Sequence, residues 1–191
     1  MTTRVGVSAL VLAAGLMGLG PTSLRAQAGA DSVEFASWRQ VQKEDADGLR
    51  QKFMALARAI PADKLGWRPM EGTRSFHDVF AHIAAEGFLE PTGFGRPLPQ
   101  GSLTDFDAEE ARLRALTDDQ LIAAMDRAMD NLSATFAGLS RSKVNTPIMF
   151  FGQNTYPRAA VAYSLFDLHE HLGQLVSYAR MNQIVPPWSR R

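Results

Sequence analysis

The four histidines of this 191-residue chain are confined to two short segments and are its clearest candidates for chemistry. His77 and His82 lie in one segment, and His169 and His171 lie in the other, close to the end of the chain. Imidazole nitrogens bind zinc and other divalent transition metals. The chain has no cysteine, so histidine and carboxylate side chains must supply every strong protein ligand to such a metal.

In the second segment, helical geometry separates the two histidines. The 100° step of an α-helix places Asp167 and His171 on one margin of an apolar stripe and His169 on the opposite margin. Periodicity alone does not choose between the histidines. A pair of residues one helical turn apart offers two donor atoms to one ion, which favours Asp167 and His171. Together with His82, they form a predicted two-histidine, one-carboxylate metal site. The alternative is that Asp167 only orients His171 by a hydrogen bond, without a metal.

Further polar residues lie beside these candidates. Glu86, one turn after His82, is a candidate to accept a proton from a metal-bound water. Tyr178, two turns after His171, is a candidate to donate a hydrogen bond to a developing anion. Both residue types are also common at the polar margin of an amphipathic helix.

The elements that must position these residues are helices. Apolar residues recur at helical spacing in four stretches, and Ser75 and Thr117 are suited to cap the second and third of them. No strand pattern of any strength is present, although the apolar run at 147–151 either pairs as a short extended piece or covers the core. The predicted fold class is all-α, a four-helix bundle. The predicted helices span approximately 35–60, 75–89, 117–138 and 156–182.

The first 28 residues have the features of a secretory signal peptide. Arg4 precedes an apolar run at 5–20, and the small-residue pattern of a cleavage site follows at Ala26-Gln27-Ala28. We therefore predict a signal peptide at 1–28, one mature domain at 29–191, and a periplasmic or secreted location. An uncleaved membrane anchor is the alternative interpretation of the same run.

Charge and composition exclude some partners. Cleavage removes Arg4 and Arg25 but no acidic residue, so that 18 basic and 20 acidic side chains remain. Nucleic acids and anionic lipid surfaces are bound by clustered Lys and Arg, and the mature sequence has no basic stripe. We expect no nucleic-acid partner and no membrane association after cleavage.

Two segments resemble the DinB-like family of metal-binding four-helix bundles: Asp167-Leu-His-Glu-His-Leu-Gly-Gln-Leu-Val-Ser-Tyr, and Arg74-Ser-Phe-His-Asp-Val-Phe-Ala-His82-Ile-Ala. The family pattern implies one histidine on the second helix and a His-x3-His pair on the last, bound to a divalent ion. By position, His82 and His171 match, and Asp167 replaces the first histidine of the pair. The replacement permits a two-histidine, one-carboxylate site, and the alternative is a degenerate site. The implied metal is zinc, nickel, iron or manganese. His169 is the nearest alternative ligand to Asp167, but using it together with His171 would require a distorted helix.

The resemblance also implies what such a protein does. Characterised relatives are thiol-dependent transferases and isomerases, but export argues against dependence on intracellular thiols. We therefore expect a metal-dependent hydrolase or transferase acting on a small molecule of unknown identity. The alternative is a non-catalytic bundle that binds a metal, a small ligand or a partner protein. The resemblance further implies a homodimer.

Overall fold

The computed structural model describes the backbone of residues 21–189 and the side chains from residue 32 to residue 189. Five α-helices and one antiparallel pair of short strands form in the described residues. Two short 3₁₀ turns, Ala62–Lys64 and Pro187–Ser189, follow the first and the last α-helix. In chain order, the elements are α1 (Pro21–Ala59), α2 (Phe76–Gly93), α3 (Phe106–Arg114), α4 (Asp118–Ala137), β1 (Ile148–Phe150), β2 (Gln153–Thr155) and α5 (Pro157–Met181).

The predicted bundle corresponds to α1, α2, α4 and α5, whose apolar faces bury one common core. α2 and α4 share the most extensive interface. They approach closely at Gly87, where a Cβ atom would lie 2.7 Å from the backbone carbonyl carbon of Ala128. Glycine at this position allows the two backbones to approach, and this contact fixes the depth of α2 in the bundle.

Both predicted N-caps are confirmed. The Ser75 hydroxyl accepts a hydrogen bond from the Asp78 backbone N–H, and the Asp78 carboxylate accepts one from the Ser75 backbone N–H at 2.9 Å. Thr117 and Gln120 make the same reciprocal pair at the start of α4. These contacts satisfy backbone N–H groups that have no partner within the helix, and the first of them fixes where α2 begins.

The structure adds a helix that the sequence pattern did not predict. Asp105 caps α3, and its side chain accepts a hydrogen bond from the Ala108 backbone N–H. Leu113 is a fully buried apolar residue of this helix, whereas two further buried positions are the acidic residues Glu109 and Glu110. Because carboxylates occupy the inner face, the helix has no apolar stripe that would predict it.

The apolar run at 147–151 pairs as an extended hairpin, which decides between the two alternatives left by the sequence. β1 and β2 are antiparallel, with Phe150 opposite Gln153. The chain reverses at Phe151 and Gly152, both of which have positive φ angles, 46° and 74°. The all-α prediction thus holds for the bundle, to which this hairpin is added. The sequence left the hairpin open because its three-residue strands are too short to show a period of two.

The predicted signal peptide lies mostly outside the described residues, which begin at Pro21. The cleavage site after Ala28 and the domain boundary at residue 29 stay predictions. Among the helices of the described region, none combines the length and apolar character that a membrane crossing requires.

Candidate metal centre

Two helices, α2 and α5, bring four potential ligands together. His82 and Glu86 are one turn apart on α2, and Asp167 and His171 are one turn apart on α5. One nitrogen or oxygen atom from each of these side chains lies within 4.8 Å of the others. Because each helix presents its pair on one face, the packing of α2 against α5 is sufficient to assemble the cluster.

Within the cluster, each histidine faces a carboxylate on its own helix. Nε2 of His82 lies 3.2 Å from Oε1 of Glu86, and Nε2 of His171 lies 3.2 Å from Oδ2 of Asp167. The two imidazole rings meet edge to face, with centroids 4.8 Å apart. The Nε2 atoms therefore point into the space that the carboxylates share.

The other nitrogen of each histidine points away from the cluster. Nδ1 of His82 lies 2.9 Å from Oε2 of Glu110, and Nδ1 of His171 lies 3.2 Å from Oε1 of Gln174. When Nδ1–H donates to these oxygens, each imidazole is held in the tautomer whose Nε2 lone pair faces the cluster. Nη2 of Arg74 is also 3.2 Å from Nδ1 of His82, but the shorter contact to a carboxylate favours donation to Glu110. This is the protonation pattern that metal-ligating histidines require.

The charges of the cluster shift the pKa values of Glu86, Asp167 and His171 in a consistent way. Burial and the neighbouring carboxylate of Asp167 raise the pKa of Glu86 well above its ordinary value. The imidazole of His171, 3.2 Å away, lowers the pKa of Asp167 to about 2. Burial alone would lower the pKa of His171, but Asp167 and Glu86 outweigh it and raise that pKa. The two carboxylates thus favour positive charge in the cluster, and a divalent cation would replace the protons that they attract.

The residues of the cluster fit a divalent metal ion. In the described part of the chain, three buried atoms in the cluster have no hydrogen-bond partner of acceptable geometry: Oε2 of Glu86, Oδ2 of Asp167 and Nε2 of His171. Buried polar atoms without partners carry a desolvation penalty that ligation would remove. Two imidazoles with two carboxylates are a donor set suited to zinc, iron, manganese or nickel.

The structure brings the predicted residues His82, Asp167 and His171 together. Nε2 of His169 lies 3.0 Å from Asp45 on the exposed side of α5, and Nδ1 of His77 lies 2.8 Å from Asp118. Asp167, not His169, thus lies beside His171 in the cluster. That the three residues ligate a metal stays a prediction.

Sequence reasoning missed two parts of this arrangement. From sequence alone, Glu86 is predicted only as a proton acceptor, although its spacing from His82 repeats the spacing of Asp167 from His171 and indicates a fourth donor. Glu110 was missed altogether, because the helix that carries it was not predicted. Tyr178, the candidate hydrogen-bond donor, accepts a hydrogen bond from Gln174 at 2.9 Å, and Gln174 in turn contacts Nδ1 of His171.

The fold and the cluster define a helical bundle with a candidate metal centre between two of its helices. A sequence model of the DinB superfamily matches residues 46–175 of this chain, which is more than half of its length. The protein therefore belongs to the DinB superfamily.

A solved structure of a DinB-like protein from Bacillus cereus ATCC 10987 has a similar fold, with a TM-score of 0.50 and 16% sequence identity. The similarity covers 73% of this chain and 89% of the other, and at this identity it supports the fold alone. A comparison with curated proteins gives no match.

Proposed function

We propose that this protein is an exported, metal-dependent enzyme, a hydrolase or transferase acting on a small molecule, with its ion bound by His82, Glu86, Asp167 and His171. The main observation in support is that one potential ligand atom from each of these four side chains lies within 4.8 Å of the others. It is strengthened by the unpartnered buried atoms that face the same space. The N-terminal signal-like sequence supports export to the periplasm or the medium.

A bound divalent ion would supply Lewis-acid polarisation of a substrate oxygen and acidification of water. The chain supplies the remaining functions. Glu110 and Gln174 hold the two imidazoles in position, so that each Nε2 faces the ion. The side chains of His82 and Glu86 are only 13% and 9% exposed, so bulk water is largely excluded from their side of the cluster.

The test of the metal site is zinc binding to protein purified without a histidine tag, measured by titration calorimetry and elemental analysis. We expect one ion per chain, and we expect His171→Ala to abolish its binding. His169→Ala is the matched control, because it removes an imidazole from the same helix outside the cluster. Absence of zinc binding by the wild type, or equal loss in both variants, would contradict the proposal.

The alternative is a non-catalytic metal-binding bundle, and one observation favours it. Four protein donors complete a tetrahedral shell, which is the arrangement of structural zinc sites, whereas catalytic sites keep a position for water. Visible absorption of the Co²⁺-loaded protein, titrated with azide, distinguishes the two. A spectral change shows an open position on the ion and supports the enzyme, and an unchanged spectrum supports the structural alternative.

A further inference from the structure

Three aromatic side chains form an arc of ring contacts that begins at His82 and ends on α5, one turn before Asp167. The ring of Phe106, from α3, packs edge to face on the ring of His82 with centroids 5.3 Å apart. Phe151, at the tip of the hairpin, contacts Phe106 at 6.1 Å and Tyr163 at 6.2 Å. Tyr163 is one turn before Asp167 on α5. We call Phe106, Phe151 and Tyr163 the aromatic arc.

The arc leaves much of its surface open to solvent. Phe151 is 51% exposed and Tyr163 is 56% exposed, whereas Phe150, next to Phe151 in the hairpin, is buried. Phe106 joins this exposed surface to the cluster, because its ring contacts both Phe151 and His82. The open apolar surface is therefore connected to the candidate metal centre through one aromatic ring.

Neither core packing nor turn propensity explains why residue 151 is phenylalanine. Both central residues of the turn, Phe151 and Gly152, have positive φ angles, and Asn-Gly is the sequence that such turns favour. A bulky residue in the left-handed region raises the conformational free energy of the backbone. Burial of the Phe151 ring offsets this only in part, because half of its surface stays in solvent. Strain of this kind is concentrated at functional sites.

We propose that the aromatic arc is a substrate subsite for a flat apolar group, such as an aryl ring, joined to an oxygen-bearing head group that is directed at the candidate metal centre. This inference rests on the proposed metal function. The rings offer faces and edges to a planar group at the distances of aromatic packing. The imidazole and carboxylate cluster favours a cation, and a cation favours an oxygen head such as a carbonyl or hydroxamate.

The test compares benzohydroxamate with acetohydroxamate, which share a head group and differ in the ring. Binding of each to the zinc-loaded protein is measured by titration calorimetry. We expect the wild type to prefer benzohydroxamate by about tenfold, on the scale of burying and stacking one ring. Equal affinity for the two compounds would overturn the proposal.

The diagnostic variant is Phe151→Asn, which removes the ring and introduces the residue that the turn favours. We expect its thermal stability to be equal to or greater than that of the wild type, and its preference for benzohydroxamate to fall to about threefold or less. Phe166→Asn is the control, because Phe166 is 74% exposed on α5 and lies outside the arc. An unchanged preference in Phe151→Asn would contradict the assignment of the arc.

Failure of the metal function gives a different result from failure of the arc. Zinc binding alone tests the metal function. If the zinc-loaded protein binds acetohydroxamate and benzohydroxamate equally, only the aromatic arc is rejected as a subsite. If no zinc binds, benzamide and acetamide are compared on the metal-free protein by NMR shift perturbation. A benzamide preference that Phe151→Asn removes then supports the arc by itself, and no preference rejects it.

Discussion

Oε2 of Glu110 on α3 lies 2.9 Å from Nδ1 of His82 on α2. α3 holds no candidate metal ligand itself, but its Glu110 orients the candidate ligand His82. Glu110 is 4% exposed and also pairs with Arg74 and Arg114. Carboxylates in this position fix the tautomer of a ligating histidine and raise its basicity.

Replacing Glu110 should weaken metal binding without removing a ligand. We expect Glu110→Ala to lower zinc affinity by about tenfold or more, because His82 loses the acceptor that orients its ring. Competition with a chromophoric chelator measures the affinity, and thermal melting verifies that the variant is folded. Glu170→Gln removes an exposed carboxylate beside His171 and should leave the affinity unchanged. Equal losses of zinc affinity in both variants would show that Glu110 acts only through its negative charge and does not orient His82.

Asp167 should be replaceable by histidine but not by asparagine. The resemblance to the DinB-like family implies a histidine at this position, and imidazole donates a lone pair to a metal, whereas a neutral amide is a poor ligand. We expect Asp167→His to keep one zinc ion per chain and Asp167→Asn to lose it, as measured by elemental analysis after gel filtration. Retention of zinc by Asp167→Asn would place Asp167 outside the ligand set.

Glu90 should make the stability of the protein depend on pH. It is 4% exposed one turn after Glu86, and burial together with the charge of Glu86 raises its pKa well above the ordinary value of 4.5. The unfolded chain ionises this group more readily than the folded chain does. Its contribution to stability is therefore complete below the unfolded pKa and is lost as the pH rises through the folded pKa.

The variant Glu90→Gln removes this titration. We expect its unfolding free energy, relative to the wild type, to increase as the pH is raised from about 4 to about 8 in urea denaturation. Glu71→Gln, at an exposed position, should show no such trend. A constant difference between wild type and Glu90→Gln across this range would show that Glu90 does not titrate differently on folding.

The contact between α2 and α4 should not tolerate a methyl group at Gly87. A Cβ there would lie 2.7 Å from backbone atoms of Ala128, so Gly87→Ala should destabilise the protein by about 1–3 kcal/mol. Gly173→Ala is the matched control, because a Cβ there meets nothing within 4 Å. It should stabilise α5 by roughly 0.5–1 kcal/mol. Chemical denaturation of both variants measures the difference, and similar values would contradict the close approach.

By itself, the sequence determined most of the helical bundle. Apolar spacing marked its four main helices, and the capping residues Ser75 and Thr117 fixed two helix starts, because these signals act over a few neighbouring residues. Resemblance to the DinB-like family selected His82 and His171, and the one-turn spacing added Asp167. The family membership is shown, whereas export, the bound metal, activity and dimer formation stay predictions.

Only the tertiary structure decided what surrounds those residues. The end of α2 is one example, since this helix continues through Pro91 to Gly93, beyond the end near Leu89 that the sequence predicts. Glu110 reaches His82 from a helix whose buried face is acidic, so no apolar period marked it.

The aromatic arc likewise joins residues from α3, the hairpin and α5, which are far apart in the sequence. Such contacts depend on how whole elements pack, whereas the patterns of a single sequence report only on residues within a few turns of one another. The sequence alone could therefore propose ligands, but only the packed fold could show what orients them and what lies beside them.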